Sequence, residues 1–417
     1  MKIYTTIAAM AFAVVAAAAD RVTLTVSNPL PVSRSGEMVE VPITSVKARL
    51  GNPATVIVTD ADGKEIPSQV TYDGLLIFQA GVAAKGKSVY YVEAKQPQKY
   101  EAKVFGRQFP ERADDMAWEN DLVAFRCYGP QLQRNGERAF GYDIWNKRTS
   151  KLVVEQRYAS ELDADIQRTC QKLRKMGQSD LADDVYNAVS YHVDHGNGMD
   201  CYKVGPTLGA GTSALLDGGE IVYPYCYKEY KILDQGPLRF TVSLTYGASK
   251  VGGQDVVETR TISLDAGSQL NKAVVTYSGL KSANDVATGI IVHNENPTAY
   301  VLNPQSGYMA YEDLGDPNQY KEKYRAKQNK DFGRIYVGAV FPARVKSTTY
   351  KAGDNLPGAT GHILAISQYR PDTKYTYYFG SGWSRNQETN FQSLSDWEAY
   401  LSTYAKCVKA PLKVSVK

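Results

Sequence analysis

Leu238-Arg239-Phe240-Thr241-Val242-Ser243-Leu244-Thr245-Tyr246 alternates apolar and polar residues without a break. Period two is the period of a pleated strand with one buried and one wet face. Similar runs occur at residues 219–230, 255–265, 271–277 and 286–292, and further strands fit 333–341, 362–368 and 375–380. No helix alternates with them, which excludes a parallel βαβ architecture. So many long strands in one unit predict two large stacked antiparallel sheets.

Towards the N-terminus the same period builds a smaller unit. Arg21-Val22-Thr23-Leu24-Thr25-Val26 and Val39-Glu40-Val41-Pro42-Ile43 read as half-buried strands. Asp60-Ala61-Asp62-Gly63-Lys64 is a turn, and Asp73-Gly74 between 69–72 and 75–78 is a hairpin signal. Residues 20–108 therefore read as a β-sandwich module. Residues 97–117 read as a linker or edge segment. Residues 109–417 form the larger unit, with a helical insertion near 159–190. There Leu162, Ile166, Cys170 and Leu173 make one stripe, and Leu181, Val185 and Val189 a second. Ser395-Asp396-Trp397-Glu398 has capping-box spacing and predicts a C-terminal helix with Trp397, Leu401 and Tyr404 on one face.

The first nineteen residues have a short positive start, an apolar run from Ile7 to Val15 and small residues before Asp20. That is the three-part pattern of a signal peptide, and the run is too short to span a bilayer. The expected mature chain is secreted or periplasmic, without membrane insertion. Net charge is +4 with no basic runs, which argues against nucleic acid. Five cysteines at irregular spacing, with no CxxC pair, exclude a zinc ribbon. Export permits one disulfide, and Cys201–Cys226 is the pairing chosen. The Gly-rich run 205–211 lacks the residues of a phosphate or dinucleotide loop, so no cofactor is expected.

The chain has four histidines, and two fall in Tyr191-His192-Val193-Asp194-His195-Gly196-Asn197-Gly198-Met199-Asp200-Cys201-Tyr202-Lys203. Glycines break regular structure there, and loops on a rigid scaffold are where sites are built. Two strand-like runs precede it in sequence. In Phe125-Arg126-Cys127-Tyr128, Arg126 and Tyr128 share a face. In Gly141-Tyr142-Asp143-Ile144-Trp145-Asn146-Lys147, so do Asp143, Trp145 and Lys147. His293, at the exit of another strand, is a further candidate. His362 reads as a satisfied structural histidine.

These blocks, together with Tyr377-Tyr378-Phe379-Gly380-Ser381-Gly382-Trp383-Ser384, resemble a secreted Bacteroidetes family labelled domain of unknown function 4861. The resemblance covers most of the mature chain. It implies a supersandwich like that of galactose mutarotases and several polysaccharide lyases. It also implies genes in polysaccharide-utilisation loci and work on uronic-acid-containing oligosaccharides, including dehydration of unsaturated uronyl ends.

Elimination beside a carboxylate needs a base, an acid for the departing oxygen and a cation for the carboxylate. His192 and His195 are the expected acid and base, with Tyr128 or Tyr202 as hydroxyl partner. Arg126, or Lys147, is the expected carboxylate fork. Trp145 and Trp383 are the expected sugar platforms, with Asp143 and Asp194 as further substrate contacts. Other readings remain open. His192, Asp194, His195 and Asp200 could hold a metal, though HxDH is not a standard zinc spacing. A glycoside hydrolase would pair two of Asp143, Asp194 and Asp200. A mutarotase or epimerase would use similar groups. A non-catalytic carbohydrate-binding protein would keep the tryptophans without needing the histidines.

Overall fold

The computed structural model describes residues 20–315, 332–353 and 356–417. Residues 1–19, read above as a signal peptide, lie outside them. The protein is mainly β, with an N-terminal sandwich followed by a larger antiparallel double layer.

In the first sandwich the order is Lys413–Val416, Arg21–Ser27, Lys87–Glu93, Ile57–Thr59, Glu65–Ile66. The facing sheet is Arg34–Pro42, Leu75–Val82, Ser68–Val70. Val22, Leu24, Val26, Val41, Val58, Phe78 and Val92 fill the space between them. The predicted hairpin forms at Asp73-Gly74. Gly74 takes φ +79° and its N–H donates to the Thr71 carbonyl, a conformation that favours glycine. Unforeseen was Lys413–Val416, which returns from the far end of the chain to pair with Arg21–Ser27.

Within 97–117, read as a linker or edge segment, Val104–Phe109 is an edge strand that includes position 108, and Asp115–Asn120 pairs beside it. They continue into a five-stranded sheet with Ala124–Cys127, Asp143–Lys147 and Gly198–Asp200. A second five-stranded sheet runs Glu220–Ile221, Ala210–Asp217, Asn284–His293, Ala359–Tyr369, Ser347–Ala352. A parallel bridge between Tyr142 and Gly209 joins these two sheets into one layer. Opposite lies the large sheet, which includes Arg239–Tyr246 at the centre of the sequence reading, with Gln254–Asp265, Leu270–Ser278, Tyr375–Trp383 and Arg334–Val340. Phe125, Ile144, Phe240, Ile262, Ile290 and Phe379 fill the space between the layers.

The seam at Tyr142 is tight. A Cβ on Gly141 would lie 2.1 Å from the Leu208 carbonyl carbon. Gly141→Ala is therefore expected to destabilise by about 1–3 kcal/mol, the usual range for overpacking. Urea unfolding checks this, and an unchanged midpoint would remove the seam from the stability argument.

The C-terminal helix runs Leu394–Lys409 and is capped by Ser393, whose side chain accepts from the Asp396 N–H, rather than by Ser395. Trp397, Leu401 and Ala405 bury against Tyr336 and Val340 on the outside of the large sheet. The insertion forms three helices, Val154–Glu161, Ala164–Lys175 and Ser179–Asn187. It starts earlier than the stripe suggested, and Leu181 is exposed rather than core. Among the described residues, no helix is long and apolar enough to cross a membrane.

Candidate active site

The five-stranded sheet that carries the quoted blocks has two different faces. Met116, Trp118, Phe125, Cys127 and Ile144 enter the core between the layers. The register pairs Arg126 with Ala117 and Asp143, and Trp145 with Asp200, so the other face collects Asp115, Glu119, Arg126, Tyr128, Asp143, Trp145, Lys147 and Asp200. The shared face read from the sequence is correct. It is not open, because the helical insertion lies over it. Tyr158 from helix Val154–Glu161 and Tyr191 pack on Trp145, Phe109 and Ala124.

At the centre is Arg126, whose side chain is 4% exposed. Its Nε donates to Asp143 Oδ2 at 2.8 Å, and Nη2 to Asp200 Oδ2 at 2.8 Å and to the Tyr128 hydroxyl at 3.2 Å. Asp115 Oδ2 stands 3.8 Å from Nη1. The rings of Tyr128 and Trp145 flank the guanidinium, at 4.8 and 4.9 Å to their centroids. Tyr128 in turn donates to Asp143 Oδ2 at 3.3 Å. Burial, and then the Asp200 charge, push the Asp143 carboxyl well above the usual carboxylate range, against the pull of Arg126. Two carboxylates beside one cation hold a proton between them readily, as like charges at close range resist double ionisation. Burial also raises the Tyr128 hydroxyl well above its ordinary range and outweighs Arg126, so the phenol stays protonated.

The histidine loop is delivered by the helices. Buried Glu161 accepts from Ser190 Oγ at 2.9 Å and from the Tyr191 N–H at 3.0 Å. His192 Nδ1 donates to the Asp200 carbonyl at 3.1 Å and lies 3.7 Å from Asp200 Oδ2. That bond places a proton on Nδ1 and leaves Nε2 as the ring nitrogen not engaged in it. The His192 side chain is 31% exposed, whereas Asp200 beneath it is buried. Arg112, 25% exposed, donates from Nε to the Tyr191 hydroxyl at 3.3 Å and approaches Asp115.

Several expectations are corrected here. Arg126 is not a free carboxylate fork, because aspartates already occupy it. Lys147 is buried and donates to Glu119 Oε2 at 2.7 Å, while Glu119 Oε1 accepts from the Val153 and Val154 N–H groups at the helix start. Trp145 and Trp383 are core residues rather than platforms, at 0% and 2% exposure, and Trp383 Nε1 donates to the Phe332 carbonyl. His195 Nε2 donates to the Ser190 carbonyl at 3.0 Å on the exposed turn and stays outside the Arg126 network. Asp194 pins the same turn: Oδ1 accepts from the Gly196 and Gly198 N–H groups, and Oδ2 faces Arg148 and Arg385. Tyr202 is buried with its ring edge-on to His293 at 5.6 Å. The cysteines, Cys201 and Cys226 included, are free thiols. Among the described residues, no three His, Cys, Asp or Glu side chains converge where they could hold a metal.

The sequence reading missed Arg112, Asp115 and Tyr158. Asp115-Met116-Ala117-Trp118-Glu119, which runs across the end of the segment read as a linker or edge, sets Asp115, Ala117 and Glu119 on the face opposite Met116 and Trp118, and that period was the available signal. His362 is as read: it is buried and its Nε2 accepts from the Leu208 N–H at 3.1 Å.

A model of DUF4861, a domain of unknown function, matches residues 26–414. The chain belongs to that family. A DUF4861 chain of this kind is similar to "Uncharacterized protein P7" of Formosa agariphila, 25% identical over 324 residues, covering 75% of this chain and 70% of the relative. Among solved structures, an alpha-mannosidase from Enterococcus faecalis V583 aligns with 95% of this DUF4861 chain at 9% identity and a TM-score of 0.45. A glycosyl hydrolase family 38 protein from Enterococcus faecalis aligns with 95% of it at 10% identity and a TM-score of 0.46. The chain spans 46% and 47% of the length of those two.

Proposed function

We propose that this protein is an exported carbohydrate-active enzyme that acts on uronic-acid-containing oligosaccharides by elimination, as a dehydratase or a lyase. One observation carries the reading. Tyr128 and His192 are the partly exposed ends of a single buried chain of charge, Tyr128–Asp143–Arg126–Asp200–His192. A buried, strongly perturbed carboxyl that links two partly exposed proton-transfer groups marks a candidate acid–base site.

In this scheme His192 Nε2 takes the proton from the carbon beside the carboxylate. The released pair forms the new carbon–carbon double bond, and the β-oxygen leaves with the Tyr128 proton. Arg126 faces the phenolate so formed. With Arg126 occupied by aspartates, Arg112 is the cation assigned to the substrate carboxylate. The resemblance of the sequence blocks supports the sugar class, and the leader pattern at 1–19 supports export.

The test is ultraviolet absorbance with mass analysis of uronate oligosaccharides incubated with the mature protein, beside His192→Gln. Loss of one water from intact chains identifies a dehydratase, and a new double bond with chain cleavage a lyase. His192→Gln is expected to lose about a hundredfold or more in turnover. Hydrolysis without a new double bond, an anomeric or epimeric change alone, or binding without turnover would each end the elimination reading.

A further inference from the structure

Both ring nitrogens of His293 meet acceptors. Nδ1 lies 2.8 Å from Asp313 Oδ2, and Nε2 lies 2.9 Å from the Lys203 carbonyl. A neutral imidazole has one N–H and can serve only one of them. Asp313 is further engaged. The Tyr311 hydroxyl accepts from the His293 backbone N–H at 3.0 Å, so its own proton goes to Asp313 Oδ1, 3.2 Å away. Between a carboxylate and an imidazole, the proton belongs on the more basic imidazole.

We infer that His293 is held as an imidazolium and acts as a positioning residue, tying the Lys203 backbone, and with it the Asp200–Tyr202 segment of the candidate site, to the double-layer sheet. Its role in turnover rests on the function proposed above; its charge and its grip on the backbone do not.

The connections are specific. His293 ends the strand Asn284–His293, and Asp313 stands on Tyr308–Leu314 in the opposite layer. Lys203 stands three residues after Asp200, which receives both Arg126 and His192. The groups around the ring are Asp313 and Tyr311 from one strand, Tyr202 and Lys203 from the site segment, Glu295 from its own turn and His362 from the neighbouring strand. Burial opposes the cation most strongly. Asp313, the Lys203 carbonyl and Glu295 together outweigh it, and the proton is held above the ordinary histidine range. A raised histidine contributes stability in full below its unfolded value and loses it as pH rises through the folded one. The clamp therefore releases on the alkaline side.

The experiment is long-range nitrogen–proton NMR of histidine-labelled mature protein, with His293→Gln for assignment. Both His293 nitrogens are expected to be protonated at neutral pH. One bare ring nitrogen there would overturn the charge assignment. Amide exchange of residues 199–205 then tests positioning without substrate. It should accelerate in step with His293 deprotonation, beyond the base-catalysed rise seen in 239–246. In Asp313→Asn the His293 midpoint and this onset should move down in pH together. At the pH where only the variant has lost the proton, exchange should be roughly tenfold faster, as for loss of one charge-assisted hydrogen bond. Exchange that ignores the His293 midpoint would overturn the positioning role. Absence of any eliminated product would instead strike the proposed function and leave the clamp standing.

Discussion

Arg126→Ala is expected to cost about 3–5 kcal/mol of stability, the range for leaving buried charges without their partner. Arg126 is the shared cation of Asp143 and Asp200, and Asp115 stands within 4 Å of it. All three aspartates are at most 1% exposed. Removing the guanidinium leaves carboxylates that must be desolvated without a counter-charge or take up protons. Burial already raises Asp143 and Asp115 with Arg126 in place, and losing its pull raises them further. A carboxyl raised in the fold contributes its stability at low pH and loses it as pH rises. The deficit of Arg126→Ala against wild type should therefore be widest near about pH 8 and should narrow towards about pH 5. Urea unfolding at both values checks the size and the sign. Adding Asp143→Asn to Arg126→Ala should recover part of the loss at the higher pH. An equal deficit at both pH values, with no recovery, would show that Arg126 acts by packing between Tyr128 and Trp145 and not by charge.

Much of this network was visible in the sequence as a face, and little of it as an environment. Period two placed Arg126 with Tyr128, and Asp143 with Trp145 and Lys147, on common sides of two strands, and the register confirms that they meet. Periodicity says which residues share a side. It does not say what covers that side. The cover is the helical insertion, whose Tyr158 and Glu161 reach the sheet and the histidine loop through tertiary contacts with no local signature. Trp145 and Lys147 were misassigned for that reason, whereas Trp383 is buried in the core between the layers. Each has the chemistry of a sugar or carboxylate contact, and burial withdraws it. His192 and His195 show the same limit at closer range. They lie three residues apart on one loop, yet one reaches the Asp200 carbonyl beside the buried network and the other only the carbonyl of its own turn. The pairing of Lys413–Val416 with the first strand was equally hidden, since it joins the two ends of the chain.

Tyr128→Phe should separate catalysis from stability. The hydroxyl makes two hydrogen bonds, at 3.2 Å from Arg126 and 3.3 Å to Asp143, both long. Losing them leaves Arg126 its two aspartates, so the stability loss should be about 1 kcal/mol. If the phenol supplies the proton to the departing oxygen, turnover should fall about 10²–10⁴-fold, the contribution of a positioned general acid. The loss should sit in kcat, with KM little changed, because the hydroxyl acts mainly in the transition state. It should also shrink on a substrate whose leaving oxygen is more acidic, since such an oxygen needs less help to depart. Burial holds Tyr128 neutral, so the acid is already loaded at neutral pH and needs no prior ionisation step. A Tyr128→Phe protein that keeps kcat within a factor of about two would remove Tyr128 from the chemistry. The same would follow from a loss that does not depend on the leaving group. Either result would leave His192 and Asp200 without an acid partner on this face, and the candidate site would have to be sought elsewhere along the histidine loop.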